Sequence, residues 1–342
     1  MENDPNNLPV EREVKRYRRT LSCPLENARE THWEKTGYLL REKSAGERWR
    51  YAEASPLEAL APEEAEAQEN RLRAWRINES QAIRALAEHE VFGFALWCLA
   101  NDHESAGNAH GIVPCSSLLP AGPRALGKLP SLLDQGYLTF KWKVGVYEAA
   151  EEIHLAEKLF SSVPAAVKFR LDANGGWREE EAALWAKALR GAPVEYVEEP
   201  LGPGKDREMR QLASEFPVPL ALDERLRQSH TGVTWWQSRG WPGFYVIKPS
   251  LSGPVNRWWK PLQEKGELSR VILSSALETA IGGWHLLKLA SSLPGKRDHG
   301  LGVGEAFGEE SPPLGLPEES KLSFSSLDNA LIARVWERGE SL

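Results

Sequence analysis

The stretch AVKFRLDANGGWREEEAALWAKALRGAPVEYVEEP (residues 166–200) decides the fold. Two short β-rich runs, 166–174 and 193–200, enclose a helical stretch at 178–191. A strand followed by an amphipathic helix and a second strand is typical of a parallel βαβ unit. The stretch therefore predicts a parallel sheet with its connecting helix packed on one face.

The same alternation continues through the C-terminal two thirds of the chain. The β-rich runs lie at 113–119, 137–145, 166–174, 193–200, 218–224, 243–250, 270–276 and, more weakly, 299–304. Amphipathic helical patterns separate most of them. About eight parallel βα units favour a closed α/β barrel over an open sheet.

The N-terminal third has a different pattern. A hairpin is predicted from about 32 to 55 around the turn SAG (44–46), and Ala- and Leu-rich helical segments follow it. We therefore expect an α+β capping domain over 1–112 and a barrel domain over 113–305. The C-terminal segment from about 306 to 342 is expected to pack back on the cap.

One charged residue recurs near the end of five successive predicted strands. These residues, 25 to 29 positions apart, are Lys143, Asp172, Glu198, Asp223 and Lys248. Such a spacing corresponds to one βα unit. Because active sites of βα barrels lie at the carboxyl ends of the strands, the five side chains are predicted to meet at one mouth.

The residues that precede these five support the alignment. They are all apolar: Trp142, Leu171, Val197, Leu222 and Ile247. Since side chains alternate across a strand, the apolar set should face the outer helices and the charged set the barrel interior. The same alternation selects Glu198 over Glu199 and places Lys141 and Arg170 on the inner face.

Three carboxylates from adjacent strands suit a hard, octahedral cation such as Mg²⁺. Lysines beside such an ion are expected to have lowered pKa values and to act as bases. The set therefore indicates abstraction of a proton α to a carboxylate. Glu224 is predicted to point away from the ion, and a purely structural ring of ion pairs is the alternative.

Five motifs resemble the enolase superfamily, in its muconate-lactonizing-like branch. They are KWK (141–143), RLDAN (170–174), EEP (198–200), LDE (222–224) and IKPS (247–250). More narrowly, SSALE (274–278), the glycine pair at 282–283 and HGLG (299–302) resemble the o-succinylbenzoate synthase family. The resemblance implies a modified TIM barrel of the (β/α)7β type with an α+β cap.

The activity that this resemblance implies is dehydration of 2-succinyl-6-hydroxy-2,4-cyclohexadiene-1-carboxylate to 2-succinylbenzoate, in menaquinone or phylloquinone biosynthesis. Asp172, Glu198 and Asp223 are implied as Mg²⁺ ligands, with Mn²⁺ as a tolerated substitute. Lys143 is implied as the base that removes the α-proton and then, as an acid, assists departure of hydroxide. Lys248 is implied to stabilise the enediolate from the other side.

The remaining implied residues support these groups. Lys141 and Arg170 would supply electrostatic support, and Ser274, Ser275 and Gly283 would contact the substrate. Serines near a strand end are also common as helix caps.

Three rival functions stay open. An N-succinylamino-acid racemase would use the same groups on a substrate with a similar succinyl arm. Dipeptide epimerases carry a DxD after strand eight, where this chain reads GVGEAF (302–307), which disfavours that activity. A non-catalytic barrel that binds partners through its cap is the remaining alternative.

Composition limits the partners. With a net charge of −7 and scattered basic residues, the chain is not expected to bind nucleic acid, and it has no apolar run long enough to span a membrane. The first residues lack the apolar core of a secretory signal, so a cytoplasmic location is expected. The three cysteines show no CxxC spacing and are expected to be reduced thiols. A small carboxylate is the expected substrate, and the oligomeric state is not predicted.

Overall fold

The structure is a computed structural model that describes part of the chain. The described ranges are 10–26, 31–57, 61–102, 111–227, 232–295, 297–302, 320–323 and 329–342. For residues 22–26 and 31–32 the description covers the backbone alone. Within these ranges, no helix is both long and apolar enough to cross a bilayer.

The N-terminal sheet is antiparallel. Its strands are β1 (Val10–Glu26), β2 (Thr31–Ser44), β3 (Arg50–Ala54) and β13 (Glu340–Ser341), in the order β13-β1-β2-β3. β2 and β3 confirm the hairpin predicted around SAG. Because β13 pairs with β1, the C-terminal end of the chain lies on the N-terminal sheet.

Strand β1 was not identified from the sequence. Its first ten residues, VEREVKRYRR, are mostly charged and do not show the apolar alternation of a half-buried strand. In the structure, ion pairs between β1 and β2 hold several of these charges, including Arg12 with Glu42 at 3.1 Å and Glu13 with Arg41 at 2.7 Å. Opposite charges across neighbouring strands stabilise such a pairing.

Three helices follow the hairpin. They are α1 (Pro62–Arg76), α2 (Ser80–Glu88) and α3 (Phe92–Asn101). Their apolar sides bury Leu72, Trp75, Leu86 and Phe94, in agreement with the α+β pattern predicted for this part of the chain.

The second part of the chain is a parallel sheet that curls into a barrel. Its strands are β5 (Ser117–Leu119), β6 (Thr139–Lys143), β7 (Lys168–Asp172), β8 (Val194–Glu198), β9 (Leu220–Leu222), β10 (Phe244–Ile247) and β11 (Val271–Leu273), paired in chain order. The helices are α4 (Arg124–Asp134), α5 (Ala149–Ser161), α6 (Glu179–Ala188), α7 (Asp206–Glu215), α8 (Val233–Gln237), α9 (Asn256–Glu264) and α10 (Ala280–Ser292). The predicted α/β barrel is confirmed.

Residues 299–300 close the barrel at the position of the predicted eighth run. His299 forms a parallel bridge with Cys115 and Gly300 forms one with Ser274, so the segment lies between the first and last strands. The rest of that run, 303–304, lies outside the described residues.

The first predicted run, 113–119, is wrong as a single strand. Its beginning is β4 (Ile112–Pro114), which pairs with β12 (Lys321–Ser323) outside the barrel, and only β5 joins the barrel sheet. The chain changes partner between them because Cys115 and Ser116 hydrogen-bond to Ser320 and His299, respectively. Both Cys98 and Cys115 are buried free thiols.

Two apolar layers confirm the predicted alternation. The five residues that precede the charged set, from Trp142 to Ile247, are at most 2% exposed and belong to the core shared with the helices. Tyr196, Ala221, Val246 and Ile272 form a separate cluster inside the barrel. The charged residues share the face of this inner cluster, one step closer to the mouth.

Candidate active site

Strand register brings the five charged residues to one rim. Lys143 lies opposite Asp172, and Asp172 lies opposite Glu198. Glu198 lies opposite Ala221, so Asp223 is two residues farther along on the same face. Lys248 follows the end of β10 and completes the set, so the two lysines flank the three carboxylates.

Lysine ammonium groups bridge these carboxylates. Lys141 Nζ lies 2.8 Å from Asp172 Oδ2 and 2.7 Å from Glu198 Oε1. Lys143 Nζ lies 2.7 Å from the same Asp172 oxygen, and Lys248 forms an ion pair with Asp223. Since the three acidic side chains are at most 1% exposed, these pairs offset the cost of burying their charges.

The charges of this cluster shift one another's pKa. Burial raises the pKa of Glu198 to about 8, with the charge of Asp172 adding to the effect. Burial also opposes ionisation of Asp172, but Lys141 and Lys143 outweigh it and hold the pKa of that carboxyl below its usual range. Burial also opposes ionisation of Asp223, but nearby positive charge, chiefly that of Lys248, lowers the pKa of this carboxyl.

The pKa of Lys141 differs from the value expected from the sequence. Burial alone would lower the pKa of this lysine, but the charges of Asp172, Glu198 and Asp223 outweigh burial and raise it well above its usual value. The expected lowering of lysine pKa values is therefore wrong for Lys141 in this arrangement of side chains. The Lys141 ammonium pairs with both Asp172 and Glu198.

The donor set fits a hard divalent cation. Glu198 Oε2 and Asp223 Oδ1 are buried and have no hydrogen-bond partner among the described residues. Buried oxygens without a donor are costly, and a metal ion would satisfy them. In the part of the chain that the structure describes, no three acidic, His or Cys side chains are already arranged around an ion. In this arrangement Lys141, Lys143 and Lys248 pair with the carboxylates.

Asn174 is a site residue that the sequence analysis missed. Its backbone N–H donates to Asp172 Oδ1 at 3.1 Å, and its side-chain oxygen accepts a hydrogen bond from Lys143. Its amide nitrogen donates to Glu224 Oε1 at 3.0 Å. Asn174 therefore holds Lys143 and links Glu224 to it. The available signal was the Asp at the strand end, because an Asp side chain often accepts the N–H of the residue two positions on, which here is Asn174.

Arg170 lies on the predicted face but points toward the opposite end of the barrel. Its guanidinium donates to Glu195 at 2.7 Å and to the Asp298 carbonyl at 2.6 Å. In the described part of the chain, its hydrogen bonds do not reach the three carboxylates. A role for Arg170 in catalysis stays a prediction.

Of the predicted substrate contacts, Ser274 and Ser275 directly follow β11 and Gly283 lies in the first turn of α10. The Ser275 hydroxyl donates to Glu278 at 2.5 Å, and the Gly283 N–H donates to the carbonyl of Thr279, the residue before α10. Ser274 is 8% exposed and its backbone joins β10. All three stay predictions as substrate contacts.

Glu53, on β3 of the cap, contacts the start of α10. Its carboxylate accepts hydrogen bonds from the Thr279 N–H at 2.8 Å, the Gly282 N–H at 3.0 Å and the Tyr17 hydroxyl at 2.5 Å. An acidic side chain that caps a helix N-terminus is stabilising. The N-terminal sheet is thus fixed to α10 beside the barrel mouth.

Comparisons with known proteins agree with this architecture. A family model described as enolase C-terminal domain-like matches residues 128–257. The crystal structure of o-succinylbenzoate synthase from Thermosynechococcus elongatus BP-1, complexed with Mg in the active site, aligns over 96% of this chain and 99% of its own, with TM-score 0.77 and 27% identity. A muconate lactonizing enzyme from Pseudomonas fluorescens shares the fold, with TM-score 0.75 and 18% identity over 96% of this chain and 99% of its own.

A capped βα barrel with lysines and carboxylates at its mouth defines the class, and residues 128–257 match the enolase C-terminal domain-like family. Among its relatives, an o-succinylbenzoate synthase of Thermosynechococcus vestitus is 37% identical over 59% of this chain and 62% of the relative. Another, of Mycobacterium ulcerans, is 31% identical over 62% of this chain and 64% of the relative. The chain therefore matches less than two thirds of the length of either relative.

Proposed function

We propose that this chain is an o-succinylbenzoate synthase, which dehydrates 2-succinyl-6-hydroxy-2,4-cyclohexadiene-1-carboxylate to 2-succinylbenzoate. The observation that carries the proposal is the rim of three buried carboxylates between Lys143 and Lys248. The similarity of the chain to o-succinylbenzoate synthases, at 37% and 31% identity, supports the choice of substrate.

Asp172, Glu198 and Asp223 would hold Mg²⁺, with Mn²⁺ as a tolerated substitute. When bound, the ion supplies positive charge beside the substrate carboxylate, where negative charge develops. The orphan oxygens of Glu198 and Asp223 support this assignment.

Lys143 is the proposed base and acid. In its neutral form it takes the proton from C1 of the ring, and the resulting ammonium then gives a proton to the C6 hydroxyl. Water leaves, the ring becomes aromatic, and Lys143 returns to its neutral form. Asn174 and Asp172 hold its nitrogen at the rim, which supports a fixed direction of proton transfer.

Lys248 and Lys141 are proposed to act through their charge. Lys248 would stabilise the enediolate from the side opposite Lys143. Lys141, with its raised pKa, stays protonated and reduces the negative charge around Asp172 and Glu198.

The proposal includes the organisation of the chain and its setting. A cap over 1–112 and a barrel over 113–305 are supported by the separate sheets, and the return of the segment from 306 is supported by the pairing of β13 with β1. The free, buried Cys98 and Cys115 are consistent with a reducing cytoplasm. Menaquinone or phylloquinone biosynthesis would be the pathway.

The test is a comparison of two reactions. Purified protein with MgCl₂ is given the cyclohexadiene substrate, and in parallel single enantiomers of N-succinylamino acids. We expect 2-succinylbenzoate to form and the reaction to stop when the metal is chelated. Racemisation without dehydration would replace the synthase by an N-succinylamino-acid racemase, which also needs lysines on both sides of the metal.

A further inference from the structure

A buried ion pair joins the loops that follow β8 and β9. Glu199 and Arg225 are each 2% exposed, and an Arg225 nitrogen donates to Glu199 Oε2. The reaction proposed above gives neither side chain a role.

Glu199 connects the two loops through its other carboxylate oxygen. Oε1 accepts the backbone N–H of Asp223 at 2.9 Å and that of Arg225 at 3.0 Å. Glu199 directly follows Glu198 and has a φ of 42°, a left-handed conformation that non-glycine residues rarely adopt. The carboxylate contacts hold the chain in this conformation immediately beside a proposed ligand.

Arg225 fixes the other side of the same loop. It donates to the carbonyls of Leu201 at 2.8 Å and Gly202 at 2.5 Å, and its Nε donates to Asp206 at 3.0 Å. A planar guanidinium with several hydrogen bonds has little freedom to move. The loop after β8, the start of α7 and the turn after β9 are thereby tied to one another.

From these contacts we infer that Glu199 and Arg225 are positioning residues that hold Glu198 and Asp223 at the spacing required to bind one divalent cation. The inference rests on the proposed function, because that function assigns the two carboxylates to the metal. Groups that orient metal ligands typically change metal affinity about 10- to 100-fold when they are replaced.

The test is Glu199→Gln, with Mg²⁺ affinity measured by isothermal titration calorimetry. Both oxygens of Glu199 accept from N–H donors, so the amide NH₂ of Gln would oppose one of these donors. We expect the Kd for Mg²⁺ to rise about 10-fold or more. The matched control is Glu195→Gln at the other end of β8, which weakens a partly buried pair with Arg170 without touching a ligand loop. This control should leave the Kd for Mg²⁺ unchanged.

The outcomes separate the inference from the proposed function. If the wild-type protein takes up no Mg²⁺, the proposed metal site fails. If it binds Mg²⁺ and Glu199→Gln binds equally well, or Glu195→Gln loses as much affinity, the positioning role is overturned. Should Glu199→Gln not fold, Arg225→Lys is the second variant, because it keeps the positive charge but loses the planar guanidinium that makes several hydrogen bonds. An unchanged Kd for Mg²⁺ in that variant would overturn the inference.

Discussion

We predict that His299 makes the barrel seam sensitive to acid. Its ring is 4% exposed, and its Nδ1 accepts the Leu273 N–H at 3.1 Å. Its backbone N–H donates to the Pro114 carbonyl, and its carbonyl accepts the N–H of Ser116, which precedes β5. Burial and, secondly, the charge of Arg170 lower the pKa of His299 to about 4.

The sign and size of the effect follow from linkage. The unfolded chain takes up a proton near pH 6.5, whereas folded His299 does so only near about pH 4, so the free energy of unfolding falls as the pH falls between these values. The difference of about 2.5 pKa units corresponds to about 2 kcal/mol at about pH 5 and about 3 kcal/mol at about pH 4.

The assay is urea unfolding of the wild-type protein and His299→Asn at about pH 7 and about pH 5. Asn can accept the Leu273 N–H but does not titrate, so the wild-type protein should lose about 2 kcal/mol more than the variant between the two pH values. His154→Asn, at an exposed position on α5, is the control and should behave like the wild-type protein. Equal losses in the wild-type protein and His299→Asn would refute the reasoning.

Three further substitutions test other parts of the account. Asp223→Asn should raise the Kd for Mg²⁺ about tenfold or more, because it removes a charged oxygen that has no partner among the described residues, and an unchanged calorimetric titration would contradict its ligand role. Asn174→Ala should lower kcat roughly tenfold with KM little changed, because Lys143, the proposed base, loses an acceptor; equal kcat values in steady-state assays would argue against this. Gly282→Ala should lower the free energy of unfolding by roughly 1 to 3 kcal/mol, because its Cβ would lie 2.9 Å from Glu53 Oε2. Gly127→Ala in α4, where nothing lies within 4 Å, should not destabilise, and equal thermal shifts for both glycine variants would contradict the packing argument.

The barrel and its rim could be predicted because two periodicities coincide. Strand alternation decides which face a residue occupies, and βα spacing decides which rim it reaches. Together they placed Asp172, Glu198 and Asp223 on one face with apolar neighbours on the other, as the structure has them. Both rules depend only on backbone geometry, which short sequence patterns specify.

Side-chain direction and pairing could not be predicted in the same way. Arg170 occupies the expected face, but it starts two residues before the rim, about 6.6 Å lower, and its length lets it reach Glu195 at the other end. The raised pKa of Lys141 depends on three carboxylates that come from separate strands. Strand β1 is held by ion pairs with β2 that only the tertiary structure reveals.

The central claim is that Lys143 transfers the proton at a rim assembled for this purpose. The most direct measurement compares turnover of the cyclohexadiene substrate by the wild-type protein and Lys143→Ala, with binding of 2-succinylbenzoate measured on the same samples. We predict that Lys143→Ala binds the product with little change in Kd while turnover falls by about 10² to 10⁴. Turnover within about tenfold of the wild-type rate, with product binding intact, would show that another group removes the proton.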